Sequence, residues 1–243
     1  MICAGIDWSK AGWYAVILEC DEAIQVQQHE AFATFSAMLE ETTAAAAIAV
    51  DIPIGLSADE PRKCDLLARR HLREPRRRSV FPPPVRAALT ARSHDDASAI
   101  NEQHCGRKVS RQTWSILPRI REVDHAMTPE LQRRVVEIHP EVCFWALNSR
   151  KAMPHRKKSV AGRKERLGVL LPIFGDQLAR ALGEPGRPRG VAQDDVLDAF
   201  AAAYTACMFA QDNYWRIPHH PPTDAHGLRM EMIVPCRTRS PDL

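Results

Sequence analysis

No run of apolar residues in this sequence approaches the ~20 that a membrane-spanning helix needs. Met1 leads almost directly into a short strand pattern, without the basic region and apolar segment of a secretory signal, so a cytoplasmic location is expected. The seven cysteines are odd in number and scattered, with no Cys-x-x-Cys pair. Such a set supports neither a disulfide framework nor a zinc ribbon, and the cysteines are expected as reduced thiols. Cys64, His71, His104 and Cys105 match no standard zinc spacing. The absence of a Gly-x-x-x-x-Gly-Lys-Ser/Thr loop and of a Gly-x-Gly-x-x-Gly turn argues against P-loop and Rossmann nucleotide chemistry. No internal repeat is present.

What is there is ordinary in bulk: 45% hydrophobic residues, 26% charged residues and a net charge of +3 in 243 residues. That composition suits one globular α/β domain with a substantial core, expected over residues 1–217, with a Pro- and His-rich irregular tail over 218–243. Only Met232 to Val234 in that tail has the pattern of a short edge strand. Ile2 to Ile6 and Trp13 to Leu18 flank the turn Ser9-Lys10-Ala11-Gly12 and read as a β-hairpin. After a polar turn at Asp21-Glu22, a third strand is expected around Ala23 to Gln27. A helix follows over Phe32 to Glu41, capped by Thr34 or Ser36, and then a buried strand over Ala46 to Ile54 that Pro53 and Gly55 bring to an end.

Residues 59–134 change in character. Arginine and lysine recur, Pro82-Pro83-Pro84 makes a stiff break, and helical pieces are expected at Cys64 to Leu72 and Ser98 to Gly106, so the segment reads as a helical basic insertion. Beyond it come a strand at Val135 to Ile138 and a short helix at Glu141 to Leu147 opened by Pro140. A basic loop over Lys151 to Lys164 leads to a helix over Glu165 to Leu182 broken near Pro172. A Gly/Pro linker over Gly183 to Gly190 then precedes a strongly apolar helix at Asp194 to Phe209.

Chemistry concentrates in a few acids. Asp7 and Asp51 each interrupt an apolar run that reads as a buried strand, where an unpaired carboxylate costs several kcal/mol. Asp195 and Asp198 stand three apart at a helix start and share a face. Capping and the helix dipole explain that pair taken alone, with Asp195 as the N-cap. They do not explain Asp7 and Asp51, and the group of four reads as a site for Mg²⁺ or Mn²⁺, hard cations that take oxygen ligands. Glu137, in Val135-Val136-Glu137-Ile138, is a further candidate ligand or else a solvent-facing strand residue; Asp194 reads as a cap or a solvated charge. Lys10 and His139 stand near enough in sequence to assist proton transfer, and equally suit a turn and a structural role.

Two basic segments accompany these acids, one over Arg62 to Arg78 and one over Arg156 to Arg166. A solvated helix face explains either alone; two of them flanking a carboxylate site suit contact with phosphate, without sequence readout. Lys10, Arg77, Arg78, Lys157, Lys158 and Lys164 are the residues expected to touch nucleic acid. Trp8 and Phe81 can stack on a base or serve as packing anchors.

Several short motifs occur in order: Gly5-Ile6-Asp7, Val50-Asp51-Ile52-Pro53-Ile54-Gly55-Leu56, Arg77-Arg78-Ser79-Val80-Phe81-Pro82-Pro83-Pro84, Glu137-Ile138-His139-Pro140-Glu141 and Asp195-Val196-Leu197-Asp198-Ala199. Together they are similar to the family called domain of unknown function 429, whose members are predicted nucleases. The wider pattern resembles the ribonuclease H-like superfamily and its Holliday-junction resolvase branch. The resemblance implies an α/β fold with a ribonuclease H-like mixed sheet flanked by helices. It further implies a metal-dependent nuclease acting on DNA or RNA, with Asp7, Asp51, Asp195 and Asp198 at ligand positions for two ions. Resolvase-like enzymes commonly act as dimers, so a homodimer belongs to the expectation. The rivals are a nucleic-acid-binding module without catalysis and phosphoryl transfer to a small molecule; the lack of a second, duplicated domain counts against the latter.

Overall fold

The computed structural model describes residues 1–21, 23–183 and 186–236. Five strands, β1 (Ile2–Ser9), β2 (Gly12–Cys20), β3 (Ile24–Phe32), β4 (Ala47–Val50) and β5 (Val135–Glu137), form one mixed sheet in the order β3-β2-β1-β4-β5. The first three are an antiparallel meander, and β4 and β5 run parallel to β1. Eight helices accompany them among the described residues: α1 (Phe35–Glu41), α2 (Lys63–Arg76), α3 (His94–Cys105), α4 (Arg111–Ala126), α5 (Pro140–Leu147), α6 (Val160–Phe174), α7 (Asp176–Leu182) and α8 (Gln193–Ala210). This mixed sheet between helical layers is the α/β architecture expected from the sequence.

The sheet is covered on both faces, so its central strands are near-continuously apolar rather than alternating with polar residues. Cys3, Ala47, Ala49 and Val136 pack under α8, α5, α6 and α7 in one core. Ala4, Ile6, Ile48, Val50 and Val135 face the other way, onto Phe35 and Met38 of α1 and Ile120 and Val123 of α4. The edge strand β3 is the polar one and leaves Gln25, Gln27 and Gln28 exposed.

Helix α8 lies so close to β1 that a Cβ on Gly5 would stand 1.8 Å from the amide nitrogen of Ala203 and 2.4 Å from the Ala199 carbonyl oxygen. Glycine on the strand and alanine on the helix let two backbones touch. Among the described residues no helix is long and apolar enough to cross a membrane.

Several sequence expectations are corrected. The third strand runs on to Phe32, and α1 starts only at Phe35 with Thr34 as its cap. Helix α4 was not expected, because Pro118 and its charges mask a regular series at Leu117, Ile120 and Val123 behind the Ser110 cap. The basic loop ends early: α6 begins at Val160, capped by Ser159, and its break comes at Gly175 rather than Pro172. Cys20 and Cys207 are not free thiols but a disulfide, with Cα atoms 6.2 Å apart; 187 residues separate them in sequence, which hides the pairing.

Residues 219–236 pack onto the rest of the chain rather than forming an irregular tail. β6 (Tyr214–Ile217) and β7 (Met232–Pro235) form a second sheet, Leu228 is in the core, and Asp224 accepts from the Leu56 amide at 2.9 Å. Glu22 of the expected turn, residues 184 and 185 of the expected linker, and residues 237–243 lie outside the described residues.

Replacing Gly5 with Ala forces α8 off the sheet. We expect a loss of about 3 kcal/mol, the upper end of the cost of overpacking, read as a lower denaturant midpoint at unchanged slope. An unchanged midpoint would mean that α8 is free to step away.

Candidate functional site

Strand alternation decides which acids meet. Cys3, Gly5 and Asp7 occupy the α8 face of β1, and Ala47, Ala49 and Asp51 continue the same face along β4 and just past its end. The Asp51 amide still donates to the Ile6 carbonyl at 3.0 Å, which sets Asp51 beside Asp7. Asp198, in the second turn of α8 and 1% exposed, closes the group from the helix. All three carboxylates line one cavity of about 520 Å³.

Lys157 enters this group directly. Its ammonium donates to Asp198 Oδ2 at 2.6 Å and lies 3.9 Å from Asp194 Oδ2. Beyond it Arg76, Arg119, Arg156 and Lys158 bring further positive charge to the cavity wall. Phe81 is 41% exposed at the same cavity. Trp8 is covered by the Arg119 guanidinium 3.8 Å from its ring centroid, so it is held as a packing surface.

The electrostatics follow from burial among like charges. Burial pushes Asp7 well above the usual carboxylate range, Lys157 pulls it back, and Asp51 and Asp198 push it up again. Asp51 is also raised by burial, against His139 and Lys157. Asp198 is pushed up to about 6 by burial, with Lys157 opposing and Asp51 and Glu141 adding to the rise. Burial draws Lys157 down, but Asp198, Asp7 and Asp51 overrule it and hold the ammonium above its ordinary value.

Other expected site residues are engaged differently, although Glu137 lines the same cavity. Glu137 shares the face of Val135, not of Val136, and so points away from α8. There Arg62 clasps it with two hydrogen bonds of 2.7 Å, the Ile54 amide adds another at 2.7 Å, and Arg62 also pairs with Asp65 at 2.8 Å. Burial pushes Glu137 up to about 7, while Arg62 restrains the rise. Asp195 is not the N-cap: Ala192 is, and Asp195 Oδ2 accepts the Ala192 amide at 2.9 Å. Its neighbour Asp194 is the buried residue that approaches Lys157. Of the residues expected to touch nucleic acid, Lys157 and Lys158 line the cavity and Arg77 lines a neighbouring groove, whereas Lys10, Arg78 and Lys164 line neither.

The family model described as Protein of unknown function (DUF429) matches residues 5–223. The chain belongs to this family. No curated protein matches it. Among solved structures, Thermus thermophilus RuvC in complex with Holliday junction substrate is similar at 14% identity and a TM-score of 0.38, over 87% of this chain and 94% of that one. A second Thermus thermophilus RuvC structure gives 12% identity and a TM-score of 0.37 over 87% and 95% of the two chains.

The donor set of this DUF429 chain suits a hard cation. The acids in the cavity offer oxygen alone, and Asp198 Oδ1 and Glu141 Oε2 are buried with no hydrogen-bond partner among the described residues. Glu141 was not singled out from the sequence, although it is the one charged residue in the apolar stretch Pro140–Leu147. Arg119 gave no signal because α4 itself was not foreseen. His139, beside Asp51 in the cavity, keeps a buried Nδ1 without a partner.

A carboxyl with a higher pKa folded than unfolded holds its proton more tightly in the folded chain. The stability that Asp198 contributes is therefore complete below its ordinary value of 3.8 and lost as the pH rises through about 6. In chelator-treated buffer, Asp198→Asn should be more stable than the native chain by roughly 2–3 kcal/mol above pH 7. The gap should close at about pH 4. Urea midpoints across pH test this, and a pH-independent difference would contradict it.

Proposed function

We propose that this DUF429 protein is a metal-dependent nuclease that hydrolyses phosphodiester bonds in DNA or RNA. The observation that carries the reading is the convergence of buried Asp7, Asp51 and Asp198 in one cavity whose wall is studded with arginine and lysine. Carboxylates alone would repel a polyanion; carboxylates with an ion, ringed by cations, accept one. Mg²⁺ or Mn²⁺ at such a site supplies Lewis acidity, a water of lowered pKa and, as a pair of ions, stabilisation of both attacking and leaving oxygens.

The chain's own residues supply the rest. Asp7, Asp51 and Asp198 would hold the ions, and Glu141 lines the same cavity with an oxygen that has no hydrogen-bond partner among the described residues. Arg76, Arg156 and Lys158 orient the phosphate, and their guanidinium and ammonium groups balance its charge. Lys157, on a flexible stem, neutralises the carboxylates in the ion-free chain and can turn to a phosphate oxygen once they are otherwise occupied. His139, with a ring nitrogen unengaged, is suited to hold or release a proton at Nδ1. Phe81 offers its exposed ring to a base or ribose.

The short Lys157–Asp198 ion pair of 2.6 Å favours a second reading, a nucleic-acid-binding module whose acids are neutralised from within and which never takes up a metal. The two readings separate on one set of assays. Native protein and its Asp7→Asn and Asp198→Asn forms are incubated with single-stranded, duplex, RNA–DNA hybrid and branched substrates in Mg²⁺ and in Mn²⁺. Cleavage by the native chain, reduced roughly 10²–10³-fold in each variant, is expected. Salt-sensitive binding without cleavage on every substrate supports the binding module, and full activity of Asp198→Asn rejects the site.

Metal should also stabilise the fold. Raising Mn²⁺ to about 100 times its dissociation constant should stabilise the native chain by about 2.7 kcal/mol and leave Asp198→Asn nearly unmoved. Thermal melts with and without EDTA read this without any substrate.

A further inference from the structure

A second groove, of about 710 Å³, lies on the other side of the Ser79-to-Pro84 segment from the carboxylate cavity. Ser79, Val80 and Phe81 line the cavity, whereas Pro82, Pro83 and Pro84 line the groove, so a single stiff ridge separates the two. The arginines at the end of α2 divide in the same way: Arg76 faces the cavity, and Arg73 and Arg77 face the groove. Across from α2, Arg107 and Lys108 of the α3–α4 loop close the groove.

Arg69, Arg70, Arg73, Arg77, Arg107 and Lys108 thus confront only two acids in the lining, Glu60 and Glu74. Arg69 is spent on the ridge itself, donating to the Val80 carbonyl at 3.0 Å. Arg77 pairs with Glu74 at 2.6 Å, and Lys108 reaches Glu102 at 3.9 Å. Arg70, Arg73 and Arg107 are exposed and make no ion pair among the described residues. Three guanidinium groups lining one groove without ion pairs among the described residues leave it positively charged, and a row of phosphates offsets that charge with bidentate contacts. Between the cations the lining is mixed, Leu66 (37% exposed) and the three prolines alongside Asn101, Ser110 and Thr113, a surface fit for sugar and base edges.

We propose that this groove is a second nucleic-acid subsite, which holds the strand beyond the phosphodiester seated at the carboxylates, so that a bound substrate straddles the Ser79-to-Pro84 ridge. The inference rests on the nuclease reading of the cavity. It commits to a continuous strand rather than a free nucleotide, because the groove abuts the cavity and its cations without an ion pair come from both of its walls, Arg70 and Arg73 from α2 and Arg107 from the α3–α4 loop.

The test is fluorescence-anisotropy binding of a trinucleotide, a mononucleotide and a long oligonucleotide, single-stranded and duplex, over a series of salt concentrations. The proteins compared are the native chain, the Arg70→Ala/Arg107→Ala double variant and, as a control, Arg133→Ala, which is exposed and lines neither recess. Two lost phosphate contacts should lower the slope of log K against log salt by about 1.4 on the long single strand and about 1.8 on duplex. Trinucleotide binding and the cleavage rate at saturating substrate should not change, and the control should match the native chain. Unchanged slope and affinity in the double variant, with native binding intact, overturn the subsite alone. Loss of mononucleotide binding without an effect on long strands overturns it in favour of a nucleotide pocket. If the native chain binds no nucleic acid of any length, the nuclease reading falls and takes the subsite with it.

Discussion

Burying Asp7, Asp51 and Asp198 around one cavity sets the terms for everything near them. Each carboxyl, deprived of water and close to the others, is pushed toward its neutral form. The chain answers with Lys157 in direct contact and with a further shell of arginine and lysine on the wall. It still leaves Asp198 Oδ1 and Glu141 Oε2 with nothing to bind. An arrangement that sacrifices stability in this way at one place, while the core around it is apolar and closely packed, is characteristic of sites selected for what they bind.

Much of this was legible in the sequence because two of the acids stand where an acid has no structural excuse. Asp7 and Asp51 break apolar strands, and the strand parity that sets Gly5 with Asp7 also sets Ala49 with Asp51. The same parity separates Val136 from Glu137 and sends Glu137 to the opposite face. What a linear reading does not reveal is burial. Arg62 heads a basic segment in sequence, yet it is 3% exposed and wholly engaged with Glu137 and Asp65. Asp194 and Asp195 are adjacent and chemically alike, and only the start of α8 at Gln193 decides which one accepts the Ala192 amide and which one turns inward. The Cys20–Cys207 pair and the return of the chain as β7 depend on long-range topology that no local pattern encodes.

Arg62 also explains how a long insertion keeps its place. One guanidinium ties the start of α2 to Glu137 on β5 and to the carbonyls of Ile54 and Gly55 in the loop after β4. From the other side, Asp224 fastens Leu56 and pairs with Arg86. The arginine-bearing wall and the strand end that carries Asp51 are thereby tied together by side-chain contacts on both sides of the loop after β4.

The contact of Gly5 with Ala199 and Ala203 does more than bring a helix close. A helix that is apolar on every side has little in its own surface to tell one rotational setting from the next, and α8 is buried almost throughout. A notch one atom deep in the strand supplies that information, because only a backbone lined with small side chains can enter it. A slip of one residue along α8 would turn Asp198 by about 100° away from Asp7. Gly5 thus acts as a phase lock, converting a steric absence on β1 into the angular position of Asp198, which directly precedes Ala199 on α8.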